Sequence, residues 1–83
     1  MAEIEAAVRD YILTAFLTGA RGAALRNDDD LLMVLDSLQM LRMLIDMEAQ
    51  FSIRVDNSEM LPENLGTIEK LAAFIARKRQ AAG

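Results

Sequence analysis

Apolar residues recur along this chain with helical rather than strand spacing, and two long stretches carry the pattern most clearly. Near the start, Ile4, Val8, Tyr11, Ile12 and Ala15 fall on one stripe, which predicts a helix over about 2–17. Gly19 and Gly22 break the pattern, so 18–35 reads as a long loop holding Asn27-Asp28-Asp29-Asp30. Its apolar second half (Leu31, Leu32, Val34, Leu35) is expected to tuck onto the helices. A second helix is expected over about 37–51. Ser52 to Asp56 then forms a short extended link with Ile53 and Val55 turned inward. A short third helix is predicted at about 58–61, ending near Pro62. Thr67 follows Gly66 as an N-cap and opens a last helix over about 67–79, with Ile68, Leu71, Ala72 and Ile75 toward the core. The cationic Arg77-Lys78-Arg79 suits the negative end of that helix dipole. Residues 1–83 therefore read as one all-α domain with three longer helices and one short one.

The helix over 37–51 is the informative element. At about 100° per residue, Gln39, Arg42, Asp46 and Gln50 form a polar stripe, and Met40, Met43, Leu44, Met47 and Phe51 form the core face. Leu38, Leu41 and Ile45 carry the apolar arc further, onto the flank shared with Ser37 and Glu48. A surface helix needs an apolar stripe only somewhat wider than about 100°. The excess points either to a second apolar surface beside Ser37 or to the long connection covering that flank. Asp36 followed three residues later by Gln39 has the form of a capping box. With Asp36 as N-cap, the Ser37 hydroxyl is not needed for capping. It then lies at the positive end of the helix, beside unpaired N–H groups, where a phosphate ester is well placed; a serine at a helix start is equally an ordinary feature.

Composition narrows the function. The chain has no His and no Cys, so the commonest general base, the thiol nucleophile and the usual zinc ligands are missing. That argues against an enzyme, and no catalytic residue is expected. With no disulfide, a domain of this size relies on apolar packing, and six Met make that packing adaptable. Between Asn27 and Glu69 ten acids face only Arg42 and Arg54, which leaves eight negative charges unbalanced. This argues against a nucleic-acid partner and favours basic protein surfaces; solubility alone explains the charge as well. Asp28, Asp29 and Asp30 lack the alternating ligand spacing of a calcium loop, so no metal site is expected. Met1 to Glu5 carries acids where a secretory leader has basic residues, and Tyr11 to Leu17 is too short to span a membrane. A soluble, cytoplasmic, monomeric protein is the expectation.

Asp36-Ser37-Leu38 at the head of an amphipathic helix, followed by Leu41, Leu44 and Met47-Glu48-Ala49-Gln50-Phe51-Ser52-Ile53, resembles the acyl carrier protein family. Leu61-Pro62-Glu63-Asn64-Leu65-Gly66-Thr67-Ile68 resembles the later passage of free-standing carriers, and the resemblance covers nearly the whole chain. It implies a four-helix bundle of acyl-carrier type. It also implies that a phosphopantetheinyl transferase attaches 4'-phosphopantetheine from coenzyme A to Ser37, and that acyl groups ride on the arm as thioesters. Asp36 would help present Ser37. Leu38, Leu41, Arg42, Ile45, Glu48, Asp56 and Glu59 would meet acyl-activating, condensing or transferring enzymes. Met40, Leu44, Met47 and Phe51 would lie where an acyl chain inserts. The sequence departs from the family's pattern in three places. Val34 stands where Gly is frequent, the stretch from Asp30 to Asp36 is about two residues short, and Gln39 and Arg42 replace acids. The first two bear on the approach loop and the choice of transferase, and the less acidic helix face favours specialised biosynthesis, such as polyketide assembly, over bulk fatty-acid synthesis. An aminoacyl or peptidyl carrier and an unmodified helical adaptor are the alternatives.

Overall fold

Val8, Ile12, Met43, Met47, Ile68, Leu71 and Ile75 are wholly removed from solvent, and three long helices supply all of them. The computed structural model describes residues 2–82 and contains helices and turns but no strand among them. In chain order these are α1 (Ala2–Ala15), α2 (Ala20–Ala23), α3 (Leu31–Val34), α4 (Ser37–Phe51), a 3-10 turn (Asn57–Glu59), α5 (Pro62–Leu65) and α6 (Ile68–Ala82). α6 packs against α1 and α5, and α1 also meets α4. Burying each large aliphatic side chain contributes roughly 1.5–3 kcal/mol, and no polar or charged residue shares this core. No helix among the described residues is long and apolar enough to cross a membrane.

α1 stops earlier than its periodicity predicts. The Phe16 and Leu17 amides both donate to the Ile12 carbonyl at 2.9 Å, and the chain turns so that Leu17 is buried while Ala15 is exposed. Tyr11 is half-buried. Its ring meets Phe16 edge-on, with centroids 5.6 Å apart, and its hydroxyl donates to Asp46 of α4. Burial, and then the Asp46 carboxylate, push the phenol up to about 12.

The connection is more ordered than a loop. Gly19 takes a positive φ of 71°, which suits glycine. Gly22 lies inside α2 and does not break a helix: a Cβ there would fall 2.2 Å from the Leu17 carbonyl oxygen. Only a bare α-carbon lets α2 press on the end of α1. Leu25, Leu31 and Leu35 are buried, but Leu32 is 52% exposed, contrary to its expected inward packing. A single helical turn such as α3 can bury only one side, and Leu31 occupies it.

Asn27 ties this connection to α1 and to α6. Its Oδ1 accepts from Arg9 Nε at 3.0 Å, and its Nδ2 donates to Glu5 Oε2 at 3.0 Å. Its carbonyl accepts from the Glu69 amide at 3.1 Å, satisfying one of the unpaired N–H groups at the start of α6. Thr67 Oγ1 accepts from the Lys70 amide at 3.0 Å and satisfies another. The Leu31 amide donates to the Gly66 carbonyl at 2.7 Å.

The short helix expected at 58–61 is instead a 3-10 turn over Asn57–Glu59, and a separate α5 begins at Pro62. Proline here opens a helix rather than ending one, because the first helical position needs no N–H donor. α6 also runs past Arg79 to Ala82. Replacing Asn27 with Ala should cost about 1–2 kcal/mol, since two charged partners lose hydrogen bonds at a half-buried site. Urea denaturation would measure the loss. Hydrogen exchange should show faster opening of 18–35 and, because the Glu69 amide donates to the Asn27 carbonyl within that segment, faster exchange at Glu69 as well.

Candidate functional site

The start of α4 is built by local chemistry. Asp36 Oδ1 accepts from the Gln39 amide at 2.8 Å, and Gln39 Oε1 accepts from the Asp36 amide at 3.0 Å. Asp36 is therefore the N-cap of a complete capping box, and Ser37, the first helical residue, is exposed. Its hydroxyl stands at the positive end of a helix of 15 residues, with no capping duty.

Ser37 lines an apolar groove of about 260 Å³ between α4 and the segment from Met60 through α5. Met40 and Leu44 form its α4 side, and Met60, Leu61, Pro62 and Leu65 the opposite side. Leu41 and Leu32 complete it, leaving Ser37 as its one polar lining residue. Met47 and Phe51 are not brought to this groove. Met47 is fully buried in the centre, and Phe51 packs near the Arg79 guanidinium, 5.6 Å from its ring centroid. Met60, Leu61 and Leu65 were not identifiable as lining from the sequence, where the only hint is an apolar pair directly before a proline.

Leu38, Leu41 and Ile45 are 78%, 46% and 54% exposed. With Phe16, Gln39 and Arg42 they line a second groove of about 390 Å³ on the α1 side of α4. The long connection does not cover this flank, so the apolar excess of α4 is a true second surface. Met33, just before the site, is 84% exposed.

The acids assigned to partner contacts are engaged within the chain. Glu48 is half-buried, and its Oε2 accepts from the Val55 amide at 2.8 Å. That bond fixes the link after α4, where Ser52 takes a left-handed φ of 55° as C-cap. Asp56 accepts from the amide and hydroxyl of Ser58 and caps the 3-10 turn. Glu59 accepts from the Asp56 amide at 2.9 Å and pairs with Lys78 Nζ at 2.9 Å. Ser58 holds the Asp56 carboxyl below its ordinary range, and the Asp56 amide with Lys78 does the same for Glu59. The three aspartates of the connection serve separate ends. Asp28 pairs with Arg26 at 3.3 Å, Asp29 accepts from the Arg26 amide at 2.8 Å, and Asp30 caps α3 through the Leu32 amide at 2.9 Å. Among the described residues no three metal-ligating side chains converge.

No protein-family model, curated protein or solved structure matches this chain.

Both lowered carboxyls bind protons less readily in the fold than in the unfolded chain. Their stabilisation is complete above the ordinary values of 3.8 and 4.5 and is lost as pH falls through the lowered folded values. Urea midpoints followed as pH is lowered past 4.5 should therefore decline. The Glu59→Gln protein should start lower at neutral pH and decline less steeply.

Proposed function

We propose that this protein is an acyl carrier: a monomeric, cytoplasmic four-helix bundle of acyl-carrier type that presents cargo from Ser37 and catalyses nothing itself. The observation that carries this reading is an exposed serine, freed from capping by Asp36, at the mouth of an apolar groove. The residues suit 4'-phosphopantetheine. Backbone N–H groups in the first turn of α4 and the helix dipole favour a phosphodiester on the Ser37 hydroxyl, and the capping box holds that turn in one geometry. When attached, the arm supplies a terminal thiol that carries acyl groups as thioesters, so this chain needs no His or Cys of its own.

The chain's own residues then orient and shield. Leu38, Leu41 and Ile45 offer an exposed apolar ridge to the transferase and to acyl-activating, condensing or transferring enzymes. Met40 and Leu44 offer a yielding apolar wall to cargo. Glu48, Asp56 and Glu59 contribute negative potential toward basic partners rather than mobile side chains. Gln39 and Arg42 make the exposed face of α4 less acidic than the family pattern, which supports a specialised biosynthetic carrier over one serving bulk fatty-acid synthesis. An aminoacyl or peptidyl carrier is less well supported, because nothing lining the groove would pair with an α-ammonium group and an unpaired buried charge is costly.

Incubation with coenzyme A, Mg²⁺ and a promiscuous phosphopantetheinyl transferase should add one phosphopantetheine to the intact mass. Ser37→Ala should add none while keeping the same helical circular dichroism. No gain with several transferases would overturn the proposal and leave an unmodified adaptor docking through Leu38, Leu41 and Ile45.

A further inference from the structure

The wall of the groove facing α4 is held in an unusual way. Met60 and Leu61 are 38% and 42% exposed, so core packing does little to fix them. Their position depends on what lies on either side. On the C-terminal side, α5 packs on α6 and Leu65 is buried. On the N-terminal side the Met60 amide donates to the Asn57 carbonyl at 3.2 Å, and the remaining bonds converge on Glu59. Its carboxylate receives the Asp56 amide and Lys78 Nζ, the latter at 2.9 Å and 3.2 Å to its two oxygens. Its carbonyl accepts from the Leu61 amide at 2.8 Å and from Asn64 Nδ2 at 2.9 Å, and Asn64 Oδ1 accepts from Arg77 Nη2 at 3.3 Å. Lys78 is the one cation in an ion pair with Glu59 among the described residues. It reaches across from α6, an element that does not line the groove.

We propose that Lys78 is a positioning residue for the groove beside Ser37: through Glu59 it sets how far the Met60–Leu61 wall stands from α4, and hence the length of aliphatic chain accepted from position 37. The inference rests on the carrier reading in taking that position as the point of attachment. The pair is suited to the role because it is neither buried nor free. Its side chains retain 27% and 30% of their exposure, so water moderates the attraction and the latch yields. Leu65 holds the C-terminal side of the wall in the core, whereas the side held by a half-exposed ion pair can open without it. Met60 adds a side chain that re-packs readily around differing contents.

The test avoids any transferase. The chain has no cysteine, so Ser37→Cys supplies a single thiol, which alkyl methanethiosulfonates of increasing length convert to mixed disulfides with release of methanesulfinate. The urea midpoint is read for each length with Lys78 intact, with Lys78→Met and with Lys78→Arg. With Lys78 intact the midpoint should rise with chain length and then level off. With Lys78→Met the levelling should shift to longer chains, and with Lys78→Arg, which keeps the cation, it should return to the original length. Glu59→Gln, which weakens the same pair from the other side, should show the same shift to longer chains and replaces Lys78→Met if that variant folds poorly. A purely structural lysine would lower every midpoint equally and leave the levelling length unmoved, which overturns the proposal. So would the absence of stabilisation at any length. Either result leaves the phosphopantetheine mass gain at Ser37 to stand or fall separately.

Discussion

Asn27 fixes the connection against α1 and α6, two helices that already pack on each other. Its side chain bonds to Arg9 and Glu5 on α1, and its carbonyl satisfies an amide at the start of α6. The segment it sits in connects α1 to α4 without a long helix or a disulfide, and ordering such a segment costs roughly 1–2 kcal/mol of backbone entropy per residue. Leu25, Leu31 and Leu35 repay part of that by burial, but apolar contact alone does not choose a register. The Asn27 bonds are directional, and with the Leu31 amide on the Gly66 carbonyl they locate the connection in space. Everything at Ser37 follows, because Asp36 lies directly beyond the segment so fixed and its position decides where α4 begins.

α4 is apolar on two sides for two different reasons. Met40, Met43, Leu44 and Met47 are buried and contribute to stability in the ordinary way. Leu38, Leu41 and Ile45 remain largely in water and contribute little to the fold. Leu41 borders both grooves, so the ridge it belongs to separates a surface turned toward α1 from the one that opens beside Ser37. Exposed leucines scattered singly mean nothing in particular. Three on successive turns of one helix, beside a serine hydroxyl with no capping duty, form an apolar patch that contributes little to the domain's own stability.

What the sequence made legible was what is local. The capping box at Asp36 and Gln39 depends on residues three apart and could be read directly, as could the core face of α4 and the core stripe of α6. The apolar excess on Leu38, Leu41 and Ile45 was visible too, although only the path of the connection could decide whether it was covered. Less was legible wherever a residue type serves two ends. Pro62 stops one helix pattern and starts another equally well, and the choice of start depended on Leu61 being extended. Gly22 looked like a breaker, but the close approach of the Leu17 carbonyl, a tertiary fact, explains it. Glu48, Asp56 and Glu59 looked like free docking acids, because sequence does not show which backbone amides will be near. The groove's far wall was hidden for the same reason: Met60 and Leu61 reach Ser37 only through the return path of 52–66.

Engaging those acids within the chain changes what they can do without removing their charge. A carboxylate that accepts from backbone amides still projects a negative field, which falls away over about 10 Å at moderate salt. It has lost the freedom to reach out and pair with an incoming lysine. In the carrier reading, Glu48, Asp56 and Glu59 are therefore better suited to drawing a basic partner in than to gripping it. In that reading, short-range contact would fall to the side chains left exposed on either side of Ser37, chiefly Met33, Leu38, Leu41 and Ile45. Such a division gives fast approach and easy release, because the field acts at a distance and the apolar ridge is small. A protein that hands cargo among several partners needs both properties, and in the carrier reading the same internal bonds that cap the turns of this small domain produce them.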